Sequence, residues 1–115
     1  MAELTTITSK NARLKELEDI YDSLPPEKKA LATPLIQNAV FIEEQMLSLQ
    51  KIIEAEGTVD EYLNGANQYG KKQSANVQSY NAFVKSYNTI NARLDDLLKE
   101  RQKKTASKLE KLMNE

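Results

Sequence analysis

The sequence predicts an all-α fold: an N-terminal helix plus a long antiparallel helical hairpin, expected to be oligomeric. Three observations predict it. Apolar residues recur three and four apart along most of the chain, which is the spacing of one helical face. Only 6% of the 115 residues are aromatic while 29% are charged, a balance that suits helices packed on helices better than a sheet. The breaking residues are grouped, with Pro25, Pro26 and Pro34 in one zone and Gly57, Gly65 and Gly70 in another, so chain reversals fall between long uninterrupted segments.

In residues 1–24, Leu4, Ile7, Leu14, Leu17, Ile20, Tyr21 and Leu24 form one amphipathic face. The predicted helix ends at Leu24, because Pro25 biases the residue before it away from helical dihedrals. A short helical turn is expected over 26–31, with Glu27 near the positive end of its dipole. Thr33-Pro34 reads as an N-cap and first helical residue, so the main second helix is expected over 34–56. The alternative is one longer helix kinked at Pro34. Leu35, Ile36, Ala39, Val40, Ile42, Met46, Leu49, Ile52 and Ile53 give this segment a wide apolar face, and Gly57 supplies its stop.

Thr58-Val59-Asp60-Glu61 matches a capping box, which predicts about one helical turn over 59–63, ended by Asn64-Gly65. No strand is expected, since the Tyr and Val residues fall at helical rather than alternating spacing. The last helix should start after Ser74 as N-cap and reach Met113. Its early register is heptad-like: Val77, Tyr80, Val84, Tyr87, Asn91, Leu94 and Leu98 alternate three and four apart, with Phe83, Ile90 and Leu97 beside them. This row is the candidate oligomer interface. Asn91 within it either reaches solvent or, if buried at the seam, selects register. The organisation is therefore 1–24 as a helix, 25–98 as the hairpin core with 57–74 as its connection, and 99–115 as a basic helical tail.

Composition narrows the chemistry. The chain has no His and no Cys, which removes the usual zinc ligands, thiol nucleophiles and the commonest general base. The adjacent pairs Glu43-Glu44 and Asp95-Asp96 point to different helix azimuths and read as solvated charges, so no acid/base constellation emerges and no enzyme, metal or cofactor is expected. No stretch approaches the roughly 20 apolar residues of a membrane span, and no signal-peptide pattern opens the chain. A cytoplasmic protein without membrane contact is the expectation.

The net charge of −1 hides an asymmetry. Residues 1–57 carry 6 basic and 10 acidic side chains, and residues 58–115 carry 10 and 7. Between Glu61 and Asp95 the charges are Lys71, Lys72, Lys85 and Arg93, a cationic stretch that could face phosphate or an acidic partner. The connection adds Asn64, Asn67, Gln68 and Gln73, whose amides either cap helix ends or hydrogen-bond base edges. Tyr69 could stack on a base, and Lys71, Lys72 and the helix start at Ser74 could hold a phosphate. The candidate DNA-binding residues are thus Asn64, Asn67, Gln68, Tyr69, Lys71, Lys72 and Lys85. Lys99, Arg101, Lys103, Lys104, Lys108 and Lys111 in the tail read as a solvated face or as a modest, sequence-independent nucleic-acid contact.

Four groups of residues carry a resemblance. They are 35–43 (LIQNAVFIE), Ile52-Ile53 ahead of Gly57, 61–74 (EYLNGANQYGKKQS), and Tyr80-Asn81 with Tyr87 ahead of Leu97-Leu98. Together they resemble small phage and prophage proteins of Gram-positive bacteria assigned as terminase small subunits. The resemblance covers about residues 30–98, and its most specific part is the string Asn-Gly-x-Asn-Gln-x-Gly-x-Lys-x-Ser. It implies viral genome packaging: an oligomer that recognises double-stranded DNA and delivers it to the large terminase subunit, which holds the chemistry, in the cytoplasm of a bacterial host. Residues 1–33 depart from the family's frequent N-terminal helix-turn-helix, being acidic and without a persuasive recognition helix. The expectation is a non-enzymatic packaging component. The alternative is a helical structural or adaptor protein of a phage or prophage that binds another protein and no nucleic acid.

Overall fold

The computed structural model describes the backbone of residues 2–63 and 69–114, and the side chains of residues 10–61, 70–100 and 108–114. The fold is all-α in character with one small sheet. In chain order the elements are α1 (Ala2–Ile20), α2 (Pro26–Glu56), β1 (Val59–Leu63), β2 (Tyr69–Gln73) and α3 (Ala75–Met113). The chain divides into two compact units, Met1–Val40 with Thr89–Glu115, and Phe41–Asn88. Both α2 and α3 contribute to each.

In the first unit the core is Leu24, Ala32, Ile36 and Leu94, and Leu14, Leu17, Tyr21 and Ile90 pack against it. Ile36 and Leu94 in this core, and the Lys28–Glu100 ion pair at 2.7 Å, set the two arms antiparallel. Helix α1 stops at Ile20, four residues before the predicted end at Leu24. The chain tightens there: the Asp22 amide donates to Asp19 O at 3.4 Å and the Leu24 amide to Tyr21 O at 3.2 Å. These i to i−3 bonds close the end of the helix ahead of Pro25 and turn Leu24 into the core.

Helix α2 begins at Pro26 and runs unbroken through Pro34, so the expectation of a separate helix starting at Pro34 gives way to the alternative of one longer helix. Two causes are visible. Ala32 and Ile36, on either side of Pro34, are both buried in the same core, and that packing holds the two halves in one register against the local penalty of the proline. Thr33 is not an N-cap: its hydroxyl donates back to Lys29 O at 2.9 Å, a bond made within a continuing helix.

In the second unit the arms are also antiparallel. Gln50 Nε2 donates to Tyr80 Oη at 3.0 Å, and Tyr87 Oη donates to Glu43 Oε2. Helix α2 ends as expected at Gly57, whose φ of 85° is a left-handed conformation and whose amide donates to Ile53 O at 2.7 Å. No atom lies within 4 Å of where a Cβ would stand on Gly57. Gly57→Ala therefore tests backbone strain alone and should lose about 1–2 kcal/mol in urea denaturation, with Gly57→Asn losing less. A loss below about 0.5 kcal/mol, within the range of neutral surface changes, would mean that the turn relaxes freely.

The connection between the arms differs from the expected helical turn. Residues 59–63 form β1, which pairs antiparallel with β2 in the register Val59↔Gln73 to Leu63↔Tyr69. Strand-favouring Val59, Tyr62 and Tyr69 gain a ladder of backbone bonds along five pairs, whereas a capping box would satisfy only local amides. Thr58 instead accepts at its carbonyl from the Ser74 amide at 2.9 Å, which extends the ribbon to the start of α3.

Candidate nucleic-acid interface

The described residues of the resembling string fall on this ribbon and on Ser74, the residue just ahead of α3. Asn64, Asn67 and Gln68 lie outside the described residues. Tyr69 opens β2 by its backbone, and its side chain is likewise outside them. Lys71 and Lys72 are exposed neighbours on β2. Successive strand residues point to opposite faces, so the two lysines stand one on each side of the ribbon.

Pairing changes their electrostatic setting. Glu61 is the cross-strand partner of Lys71, and Asp60 that of Lys72. Each ribbon face thus carries one lysine and one carboxylate, and the stretch that is free of acids in linear order is flanked by them in space. Opposite charges facing across strands stabilise the ribbon by about 0.2–1 kcal/mol per pair, while weakening its field towards a polyanion.

The start of α3 is not available to a phosphate. The Ala75 amide donates to Asp60 Oδ2 at 3.2 Å and the Asn76 amide to Ser74 Oγ at 3.1 Å. The protein's own carboxylate and hydroxyl occupy the donors that an anion would need, which corrects the expectation of an anion site at Ser74. Ser74 is the predicted N-cap in its predicted place, and it is 2% exposed. Ser74→Ala should therefore cost about 1 kcal/mol in urea denaturation and speed amide exchange at Asn76, where the lost bond ends. Unchanged exchange at Asn76 would show that the cap does not persist in solution.

Lys85 is exposed on α3, roughly 15 Å along the helix from its first residue. Where α2 ends and α3 begins, Gln50, Ile53, Glu54, Thr58, Val77 and Tyr80 line an open groove of about 310 Å³. Its floor is apolar and Glu54 gives its rim a negative charge.

Most of the candidate oligomer row serves the chain itself. Leu94 is fully buried and Leu98 packs on the same core. Val77, Tyr80, Val84 and Tyr87 are half-buried, and the two tyrosine hydroxyls are bonded to α2 as described. Asn91 is exposed, so it reaches solvent within this chain. Glu43, read from sequence as a solvated charge, is instead half-buried beneath Tyr87. Forty-four residues separate that pair, so no local pattern reports it; the antiparallel register alone could have found it.

In the first unit, Tyr21, Asp22, Lys29, Thr33 and Ile36 help line a smaller cleft of about 220 Å³. Burial and then the nearby charge of Asp95 raise the Tyr21 phenol above its usual range. The hydrogen bond and charge of Lys29, whose Nζ stands 2.8 Å from Asp22 Oδ1, lower the Asp22 carboxyl.

Among the described residues no group of three or more Asp or Glu side chains is gathered as a metal would need, and no helix is long and apolar enough to cross a membrane. Comparison of the chain with protein-family models, with curated proteins and with solved structures finds no match.

Proposed function

We propose that this chain is a non-enzymatic component of phage DNA packaging, resembling a terminase small subunit. In this reading it self-associates in the cytoplasm of a bacterial host and helps present double-stranded DNA to the large subunit. One observation carries the reading. The end of the resembling string, Tyr69 to Gln73, is the second strand of a two-stranded antiparallel ribbon that bears Lys71 and Lys72 on its two faces, and a ribbon of this kind is an element that a DNA major groove admits. Long lysine side chains on either face would reach backbone phosphates, giving a salt-sensitive contact that positions the protein without reading bases. Lys85 adds a further cation on α3. The lack of His and Cys leaves the packaging chemistry to the partner.

A salt-titrated DNA-binding assay combined with native mass spectrometry tests this. Oligomers that bind duplex DNA below about 0.1 M salt, and release it steeply above, are expected. A strict monomer without DNA affinity even at low salt would sink the reading.

The adaptor reading draws on a different observation. Asp60 and Glu61 offset the lysines of the ribbon, while Phe41, Leu47, Ile52 and Val59 in the same unit are exposed. Exposed apolar side chains of this size are typical of protein-binding surfaces when they are contiguous. Pull-down from phage-infected lysate separates the two, because nuclease treatment leaves an adaptor's protein partner bound and releases one held through DNA.

A further inference from the structure

We infer that the end of α3 from one copy of this chain docks in the groove of the second unit of another copy. Leu109, Leu112 and Met113 seat on its apolar lining, and Lys108 and Lys111 face Glu54. The inference deepens the self-association in the reading above and does not need its DNA contact. The groove of about 310 Å³ is lined on its apolar side by Ile53, Val77 and Tyr80. Ile53 and Val77 are half-buried by the packing of α2 on α3, and the Gln50 bond at 3.0 Å holds the Tyr80 ring in place as one wall. What remains is apolar surface that the described residues leave open to solvent. Glu54 lines it, is exposed, and makes no ion pair or hydrogen bond with any described residue. The groove therefore suits an apolar helix face that brings a cation.

The chain carries such a face at the other end of the same helix. Helix α3 continues to Met113, and Leu109, Leu112 and Met113 recur at i, i+3 and i+4 along it, each more than half exposed. This is the anchor spacing of a helix that lies in an apolar groove. Lys108 and Lys111 stand on one flank of that face, a helical turn apart, and Glu110 stands on the other flank. Like Glu54, both lysines are exposed and make no ion pair or hydrogen bond with any described residue. The groove lacks a cation and the helix end lacks an anion, so a second copy completes both at once. Groove and helix end are different patches, so one contact leaves a groove and an end free. Association then closes by reciprocal exchange or continues to higher oligomers. One helix end covers less than the about 800 Å² per partner of a standard stable complex, so a single contact is expected to be weak and concentration-dependent.

Two unlike patches permit a mixing test by sedimentation equilibrium on full-length chains. One variant spoils the helix end, Leu109→Asp with Leu112→Asp, and the other spoils the groove, Glu54→Lys with Thr58→Lys. All four positions are exposed, and circular dichroism should show the helices retained in both. Each variant alone should associate about tenfold more weakly than the wild type or worse, through lost apolar contact in the first and repulsion of Lys108 and Lys111 in the second. Mixed together, the intact groove of the first accepts the intact end of the second. The mixture should form pairs with one of each, about tenfold or more tighter than either variant alone, and nothing larger. A variant that associates like the wild type, or a mixture no better than its components, would overturn the docking while leaving self-association by another face intact. A wild type that stays monomeric to about 1 mM would overturn both, and the DNA titration of the preceding section is independent of either result.

Discussion

Leu94→Ala is expected to lower stability by about 2–5 kcal/mol, the cost of removing a buried leucine and leaving a cavity. Leu94 is 1% exposed and shares the core of the first unit with Leu24, Ala32 and Ile36. Leu14, Leu17, Tyr21 and Ile90 pack around that core, and how far they close on the space sets the cost within this range. Against a total of about 5–15 kcal/mol for a folded domain, the loss should appear as a fall in melting temperature of roughly 10–20 °C. The same substitution separates two roles for the row that contains Leu94. If Leu94 stabilises its own chain, the loss is the same at low and high protein concentration. A seam between copies would instead make the melting temperature of the wild type rise with concentration and the deficit of the variant grow with it. Urea and thermal denaturation at two concentrations a hundredfold apart decide this. A loss below about 1 kcal/mol, the range of half-exposed positions, would show that the residue is not in the core.

The elements legible in the sequence are those whose determinants are local. Gly57 ends α2 and Ser74 starts α3 where their chemistry says they should, because a left-handed glycine and a hydroxyl cap act within one helical turn. The apolar row from Val77 to Leu98 is helical and faces inward over most of its length, as its spacing predicts. What failed needed a distant partner to be visible. Thr58 to Glu61 carries a local capping pattern, and only the arrival of Tyr69 to Gln73 turns it into a strand. Gly70, Lys71, Lys72 and Gln73 are weak strand formers, so neither half announces the ribbon alone. Pro34 failed for a related reason: its penalty is read locally, while the burial of Ala32 and Ile36 that outweighs it comes from packing. Among the candidate contacts, Lys71, Lys72 and Lys85 are exposed as expected. Their acidic neighbours were hidden because Asp60 and Glu61 approach the lysines through the ladder and not through the linear order.

That proximity sets the form of the last prediction. Reversing the lysines to glutamate would set like charges across the ribbon and destabilise it, confusing loss of contact with loss of structure. Lys71→Gln with Lys72→Gln keeps side-chain length and polarity and removes only the charges. Each phosphate contact contributes about 0.9 to the slope of log affinity against log salt, so losing two should flatten the slope by about 1.8. The advantage of the wild type over the double variant should then shrink by about tenfold between about 50 and 200 mM salt, as measured by fluorescence anisotropy on a short duplex. Glu61→Gln should act with the opposite sign, since it removes the carboxylate facing Lys71 while leaving Asp60 to hold the Ala75 amide. It should raise affinity at low salt. Opposite signs from two substitutions one strand apart cannot come from a general loss of folding, which would weaken binding in both. If affinity and slope ignore all three changes, the ribbon does not meet DNA, and its paired charges serve to hold the reversal between α2 and α3.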